Sequence, residues 1–189
     1  MNFSDNFILA SASPRRQELL EKIIPHYTCI PADIDETIPE GISPLDAPAY
    51  LSLQKARHIG KNHPDSLIIG ADTCVISEDR ILGKPSSRED AFLMLKSLSG
   101  KTHLVITGCA IVKGGKEISF SEVTKVEFYP LADEEINAYL DTNEYCDKAG
   151  AYGIQGKGAV LVKGICGDYF NVVGLPVARL SRELKNFLL

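Results

Sequence analysis

Leu67-Ile68-Ile69-Gly70-Ala71-Asp72-Thr73-Cys74-Val75-Ile76 is the stretch on which the fold class turns. Residues 67–69 and 74–76 are short aliphatic runs without polar alternation, the pattern of a strand covered on both faces. Gly70-Ala71-Asp72-Thr73 separates them, so one buried strand with a polar interruption is predicted. A carboxylate inside such a run needs a cation, a metal or hydrogen-bond donors, because desolvating an unpaired charge is costly.

Upstream, residues 7–10 read as a short apolar strand, and Ser13-Pro14 introduces a helix with Leu19, Leu20, Ile23 and Ile24 on its buried side. A polar connection containing Asp33-Ile34-Asp35-Glu36 leads to Pro48 and a second helix through Leu51, Leu53 and Ala56 to about Ile59. Downstream, Gly83-Lys84-Pro85 is a loop, and Ser87 with Asp90 caps a helix that runs to Leu98 and stops at Ser99-Gly100. Residues 104–112 and 118–129 flank Gly114-Gly115 as a hairpin, and Asp133-Glu134-Glu135 opens an acidic helix start. Six of the 15 glycines lie between Gly150 and Gly167, which marks tight turning or close backbone approach there. A final helix is expected from about Gly174 to Leu188. Strands and helices mix without strict alternation or repeats, which predicts an α/β fold with a mixed sheet and, at 189 residues, a single domain over 1–189.

Composition narrows the function. The chain is 44% hydrophobic and 24% charged, as expected of a globular protein. No apolar run reaches the roughly 18 residues needed to span a bilayer, and the N-terminal stretch has no basic flank or long apolar region of a secretory signal. A cytoplasmic protein with no membrane association is expected. Cys29, Cys74, Cys109, Cys146 and Cys166 stand singly, which points to reduced packing residues rather than zinc ligands or a disulfide framework. A formal charge of -5 gives no broad field for a polyanion, so nucleic acid is not an expected partner and any anion must be captured locally.

Local capture has an obvious place. Ser11-Ala12-Ser13-Pro14-Arg15-Arg16 puts Ser13 at an N-cap, Pro14 at the first helical position and two arginines in the first turn. Cations there oppose the helix dipole unless an anion shares them. Backbone N–H groups, serine hydroxyls and guanidinium forks together make a phosphate site, the bland alternative being a solvated helix start. Asp72 fits a general base or a ligand for a hard cation, or else a satisfied structural carboxylate at a bulge. Glu36 lies in an acidic loop able to supply a second metal ligand, although such loops are usually just solvated. Lys55 and Lys84 are candidate phosphate contacts, with solvent-facing lysines as the alternative. His103 reads as a strand-start packing residue, since no serine or cysteine nucleophile motif accompanies it. Asp147-Lys148-Ala149-Gly150-Ala151-Tyr152-Gly153-Ile154-Gln155-Gly156 is not a P-loop, because no Ser or Thr follows Lys157. Its Gln155 amide offers one donor and one acceptor, which matches the imide face of uracil or thymine.

Taken in order, the segment at residues 11–16, Gly70-Ala71-Asp72-Thr73, Gly83-Lys84-Pro85, the ten-residue block at 147–156 and Val173-Gly174-Leu175-Pro176 resemble the Maf family of nucleoside triphosphate pyrophosphatases over nearly the whole chain. The resemblance implies an elongated, twisted mixed β-sheet flanked by helices, in two lobes with a central cleft, similar to the inosine triphosphate pyrophosphatases. It implies Asp72 as proton acceptor; Glu36, with Asp72, as ligands of Mg²⁺ or Mn²⁺; and Ser11, Ser13, Arg16, Lys55 and Lys84 around the triphosphate. Base choice falls on Arg15, Thr73 and Gln155, a combination that resembles the branch acting on dTTP and UTP rather than the branch preferring 7-methyl-GTP. Tyr145 departs from the proline that the family often has before the Asp-Lys-Ala-Gly block. The same analogy implies a homodimer. The competing reading is a nucleotide-sensing regulator of cell division or septum formation, which would have no need of Asp72 and Glu36 beside a phosphate site.

Overall fold

The computed structural model describes residues 6–189. In chain order the elements are β1 (Phe7–Leu9), α1 (Pro14–Glu21), β2 (Thr28–Cys29), α2 (Ala47–Gly60), β3 (Leu67–Ser77), β4 (Arg80–Leu82) and α3 (Arg88–Leu98). They continue with β5 (Thr102–Lys113), β6 (Lys116–Phe128), α4 (Asp133–Leu140), β7 (Val162–Cys166), α5 (Tyr169–Val173) and α6 (Val177–Leu188). Among the described residues the strands form one seven-stranded mixed sheet in the order β2-β1-β3-β5-β6-β7, with β4 on β3. β1 lies parallel to both β2 and β3, whereas β4 on β3 and β7 on β6 are antiparallel.

The chain forms two compact units. The first comprises the described residues up to 72, with 107–122 and 174–189, and the second residues 73–106 and 123–173. In the first unit, Ile8, Ala10, Ile68 and Ala110 from the sheet pack with Ala56 and Ile59 of α2. Two glycines let α2 come this close. A Cβ at Gly70 would stand 2.1 Å from the Ser52 carbonyl oxygen, and one at Gly108 would stand 2.1 Å from the Pro48 carbonyl carbon. Both contacts are with the helix backbone, so at these two positions the strands can carry no side chain beneath the helix.

The second unit has its own core. Ala91, Leu95 and Leu98 of α3 and Ile136, Tyr139 and Leu140 of α4 pack with Val75, Val105, Val126 and Phe128 of the strands. Gly150 belongs to the same unit, with φ +68 and all three Val75 side-chain carbons 3.0–3.1 Å from where its Cβ would be.

Two expectations need correction. β3 runs without interruption from Leu67 to Ser77, because Gly70 serves the approach of α2 rather than a break, and Asp72 and Thr73 are half-buried residues within a regular strand. The helix expected from about Gly174 is α6, which starts three residues later, at Val177, because Gly174 takes φ +127 and Pro176 precedes the helix. Neither residue fits a helix interior. The hairpin turn is as expected, with Gly114 at φ +55 and Gly115 at φ +85, the signs that a tight two-residue connection demands.

His103 is a packing residue, as expected. It is buried at the start of β5, shares a 2.8 Å hydrogen bond between Nε2 and the Tyr152 hydroxyl, and meets Phe128 and Tyr152 edge-on. Its Nδ1 has no hydrogen-bond partner among the described residues. Burial lowers its pKa from 6.5 to about 4, so the folded protein holds it neutral where an unfolded chain would protonate it. The sign follows: its neutral-state stability is fully present above pH 6.5 and is lost as pH falls from 6.5 towards 4, by about 1.4 kcal/mol per pH unit. Urea titrations across that range should show His103→Gln with a correspondingly shallower acid slope than the wild type. Parallel slopes would contradict the assignment.

Candidate active site

The first part of the site is the passage from β1 into α1. Ala10 N donates to Ile69 O at 2.8 Å, and the chain then turns through Ser11, Ala12 and Ser13. Ser13 is the N-cap with Pro14 behind it, and its hydroxyl accepts from Arg16 N at 3.5 Å. Ser11 Oγ is buried and accepts from Ser13 N at 3.2 Å. The first turn carries no acid, so Arg15 and Arg16 stand at the positive end of the helix dipole with no carboxylate in that turn.

Arg16 is held back across this turn. Its Nε donates to Gly174 O at 3.0 Å and its Nη1 to Ser11 Oγ at 3.3 Å. Burial lowers its pKa, and the fields of Asp72, Cys109 and Glu36 oppose that shift. A guanidinium stays charged under such a shift, so Arg16 is a fixed cation among carboxylates.

Lys55 organises the second part. It projects from α2 with its side chain 10% exposed, and its Nζ meets Asp72 Oδ1 at 2.6 Å and Glu36 Oε1 at 2.7 Å. A lysine this enclosed requires counter-charge, and one ammonium here serves two carboxylates. Asp72 is 15% exposed on β3, whereas Glu36 is 58% exposed on a stretch without regular structure. That stretch is shaped beside Glu36 by Asp35, whose Oδ1 accepts from Thr37 N at 2.9 Å and from Thr37 Oγ1 at 2.6 Å. These two bonds hold the Asp35 carboxyl below its ordinary pKa.

Thus Ser11, Ser13, Arg16, Glu36, Lys55 and Asp72 all belong to the first unit, joined through shared contacts or fields. Arg15 belongs there too, whereas the remaining predicted residues belong to the second. Thr73 is half-buried on β3, Lys84 is exposed after β4, and Gln155 is exposed in the glycine block. Gly150 N donates to Gly83 O at 3.0 Å, which ties the Lys84 loop to that block. Sequence reading missed two contributions. The Gly174 carbonyl orients Arg16, although Val173-Gly174-Leu175-Pro176 stood out as a motif. Lys55 bridges both carboxylates, a contact that no local spacing encodes because its partners lie 17 and 19 residues away.

Among the described residues no three His, Cys, Asp or Glu side chains converge as a complete metal site. The pair Glu36 and Asp72 still suits Mg²⁺ or Mn²⁺, since two carboxylate oxygens lie within 2.7 Å of one cationic nitrogen. Mg²⁺ in particular takes one or two carboxylates and completes its shell with water and substrate phosphates.

The family description Maf, "Maf-like protein", matches residues 6–187. The chain belongs to the Maf family. Two Maf relatives named dTTP/UTP pyrophosphatase show how near the match is. That of Bacillus cereus strain G9842 is 52% identical over 180 residues, covering 95% of this chain and 94% of the relative. That of Bacillus cytotoxicus is 51% identical over 181 residues, covering 96% and 95%. Among solved structures, the Ham1 protein of Staphylococcus aureus has a TM-score of 0.57 at 13% identity, covering 96% of this chain and 98% of the other. A HAM1 protein from Coxiella burnetii has a TM-score of 0.53 at 16% identity, with the same coverage. At such identities the structures speak for the Maf chain's fold alone, which is the mixed-sheet α/β fold expected.

Proposed function

We propose that this chain is a nucleoside triphosphate pyrophosphatase that hydrolyses dTTP and UTP to the monophosphate and pyrophosphate. The observation that carries the chemistry is the convergence of Asp72 and Glu36 on Lys55, in the unit that also holds Arg16 at an arginine-bearing helix start. Relatives at 52% identity over 95% of the chain, named for dTTP and UTP, support the substrate.

In this proposal Asp72 accepts the proton of the water that attacks the α-phosphorus, and pyrophosphate leaves. Arg16, Lys55, Lys84, the hydroxyls of Ser11 and Ser13, and the N–H groups at the start of α1 balance the charge of the triphosphate. Glu36 and Asp72 would hold Mg²⁺ or Mn²⁺, which supplies charge neutralisation at the phosphate oxygens when bound. Lys55 keeps both carboxylates oriented and shields their repulsion towards an incoming anion. Arg15, Thr73 and Gln155 choose the base, the last by offering a donor and an acceptor to the pyrimidine imide. The two units act as one Maf domain on free nucleotides in the cytoplasm, a reducing compartment that suits five free cysteines. Two copies are proposed to pair as a homodimer, by family analogy.

Purified protein with Mg²⁺ and dTTP or UTP should release pyrophosphate stoichiometrically with the monophosphate, and EDTA should stop it. Orthophosphate and the nucleoside diphosphate as first products would overturn the assignment.

A further inference from the structure

The segment that carries Gln155 is fastened on both sides, and the fastening on one side is a carboxylate. Glu144 Oε2 and Oε1 accept from Lys157 N at 2.8 and 3.1 Å. The carboxylate also lies over Gly156, where a Cβ would stand 2.3 Å from Oε2, so only glycine leaves room for it. On the other side, Gly153 N donates to the Tyr139 hydroxyl at 3.2 Å. Glu144 is itself anchored: its N donates to Thr142 Oγ1 at 3.3 Å, and its carbonyl accepts from Lys148 Nζ. Lys148 Nζ also pairs with Asp147 at 2.7 Å, and its aliphatic stem occupies the space beside Gly153. All these residues lie in one unit, so the arrangement is internal to it.

Three residues separate the two fastenings at Gly153 and Lys157, and Gln155 is the middle one. Gly156 on one side gives the backbone at Gln155 freedom, and an exposed amide on a loose loop would lose entropy each time it met a base. A charge-assisted hydrogen bond from Glu144 to the backbone removes that freedom beforehand. From this we infer that Glu144 is a positioning residue for base recognition: it acts through the Gly156–Lys157 backbone to set the Gln155 amide, and touches neither phosphate nor the hydrolytic centre. The inference deepens the proposed pyrimidine preference and rests on it.

The test is steady-state pyrophosphate release from UTP, dTTP and, as a substrate without a pyrimidine imide, GTP. Glu144→Ala should raise KM for UTP and dTTP by about tenfold while leaving their kcat within about twofold, and should leave kcat/KM for GTP unchanged, on the strength of one charge-assisted bond. Glu144→Gln, whose amide oxygen still accepts the Lys157 N–H, should restore most of the KM. Gly156→Ala should reproduce the Glu144→Ala effect by displacing the carboxylate, and the double variant should be no worse than either single one. Equal losses on all three substrates, or unchanged KM for the pyrimidine nucleotides, would overturn the inference while leaving the hydrolytic assignment standing. A wild-type protein with no pyrophosphate release from UTP or dTTP would overturn the assignment, and this inference with it.

Discussion

Asp72→Asn should lower kcat for pyrophosphate release from UTP by about a thousandfold, roughly 4 kcal/mol of barrier, while UTP binds to the variant within about threefold of wild-type affinity. The substitution keeps the size of the side chain and removes its capacity to take a proton. Lys55 loses one anionic partner at 2.6 Å but retains Glu36 at 2.7 Å, so the enclosed ammonium is not left without counter-charge. Arg16 keeps its bonds to Gly174 O and Ser11 Oγ. The phosphate contacts therefore survive while the proton acceptor does not. Steady-state rates paired with calorimetric titration of UTP separate the two. A variant retaining a tenth or more of wild-type kcat would remove Asp72 from the chemistry, and a parallel collapse of binding would make it a ligand-holding group instead.

Gly108→Ala should destabilise the protein by about 3 kcal/mol or more, a fall in Tm of roughly 6–12 °C for a chain of this size. The added methyl would stand 2.1, 2.2 and 2.3 Å from Pro48 C, Pro48 O and Ala49 N. None of these is a side-chain end that a rotamer change could move, so α2 must shift on the sheet. α2 carries Lys55, and activity should fall together with stability. Gly164→Ala is the matched control, since nothing lies within 4 Å of its added Cβ and its strand is an edge of the sheet; a change within about 0.5 kcal/mol is expected there. Thermal melts of the two variants side by side decide the matter, and equal Tm values would mean that α2 is free to move.

The parts legible in the sequence were those with a strong local pattern. Ser13-Pro14 marked a helix start, Ser87 with Asp90 marked the cap of α3, the glycine pair marked the hairpin, and Leu51, Ala56 and Ile59 marked the buried face of α2. β2 and β4, of two and three residues, carry no measurable alternation or buried apolar run and were not seen. β7 hides among glycines and is mostly exposed. Gly70 misled because a glycine in an apolar run looks alike whether the strand breaks or a helix lies on it. The site was legible as a set of residue types and not as contacts. That Lys55 would face both carboxylates, or Glu144 a backbone amide 13 residues on, depends on tertiary approach.

β3 passes from the first unit to the second between Asp72 and Thr73. One peptide bond thus joins the residue proposed for hydrolysis to a residue proposed for base selection, while Gln155 and its supports lie wholly on the second side. Apart from Arg15, a change of nucleotide preference can then be written into residues 73 and 144–157 without editing the hydrolytic residues. Grafting that pair of segments from a relative with another base preference is a compact way to redirect the enzyme, and the same separability gives a lineage room to explore new nucleotides while its cleavage machinery is conserved.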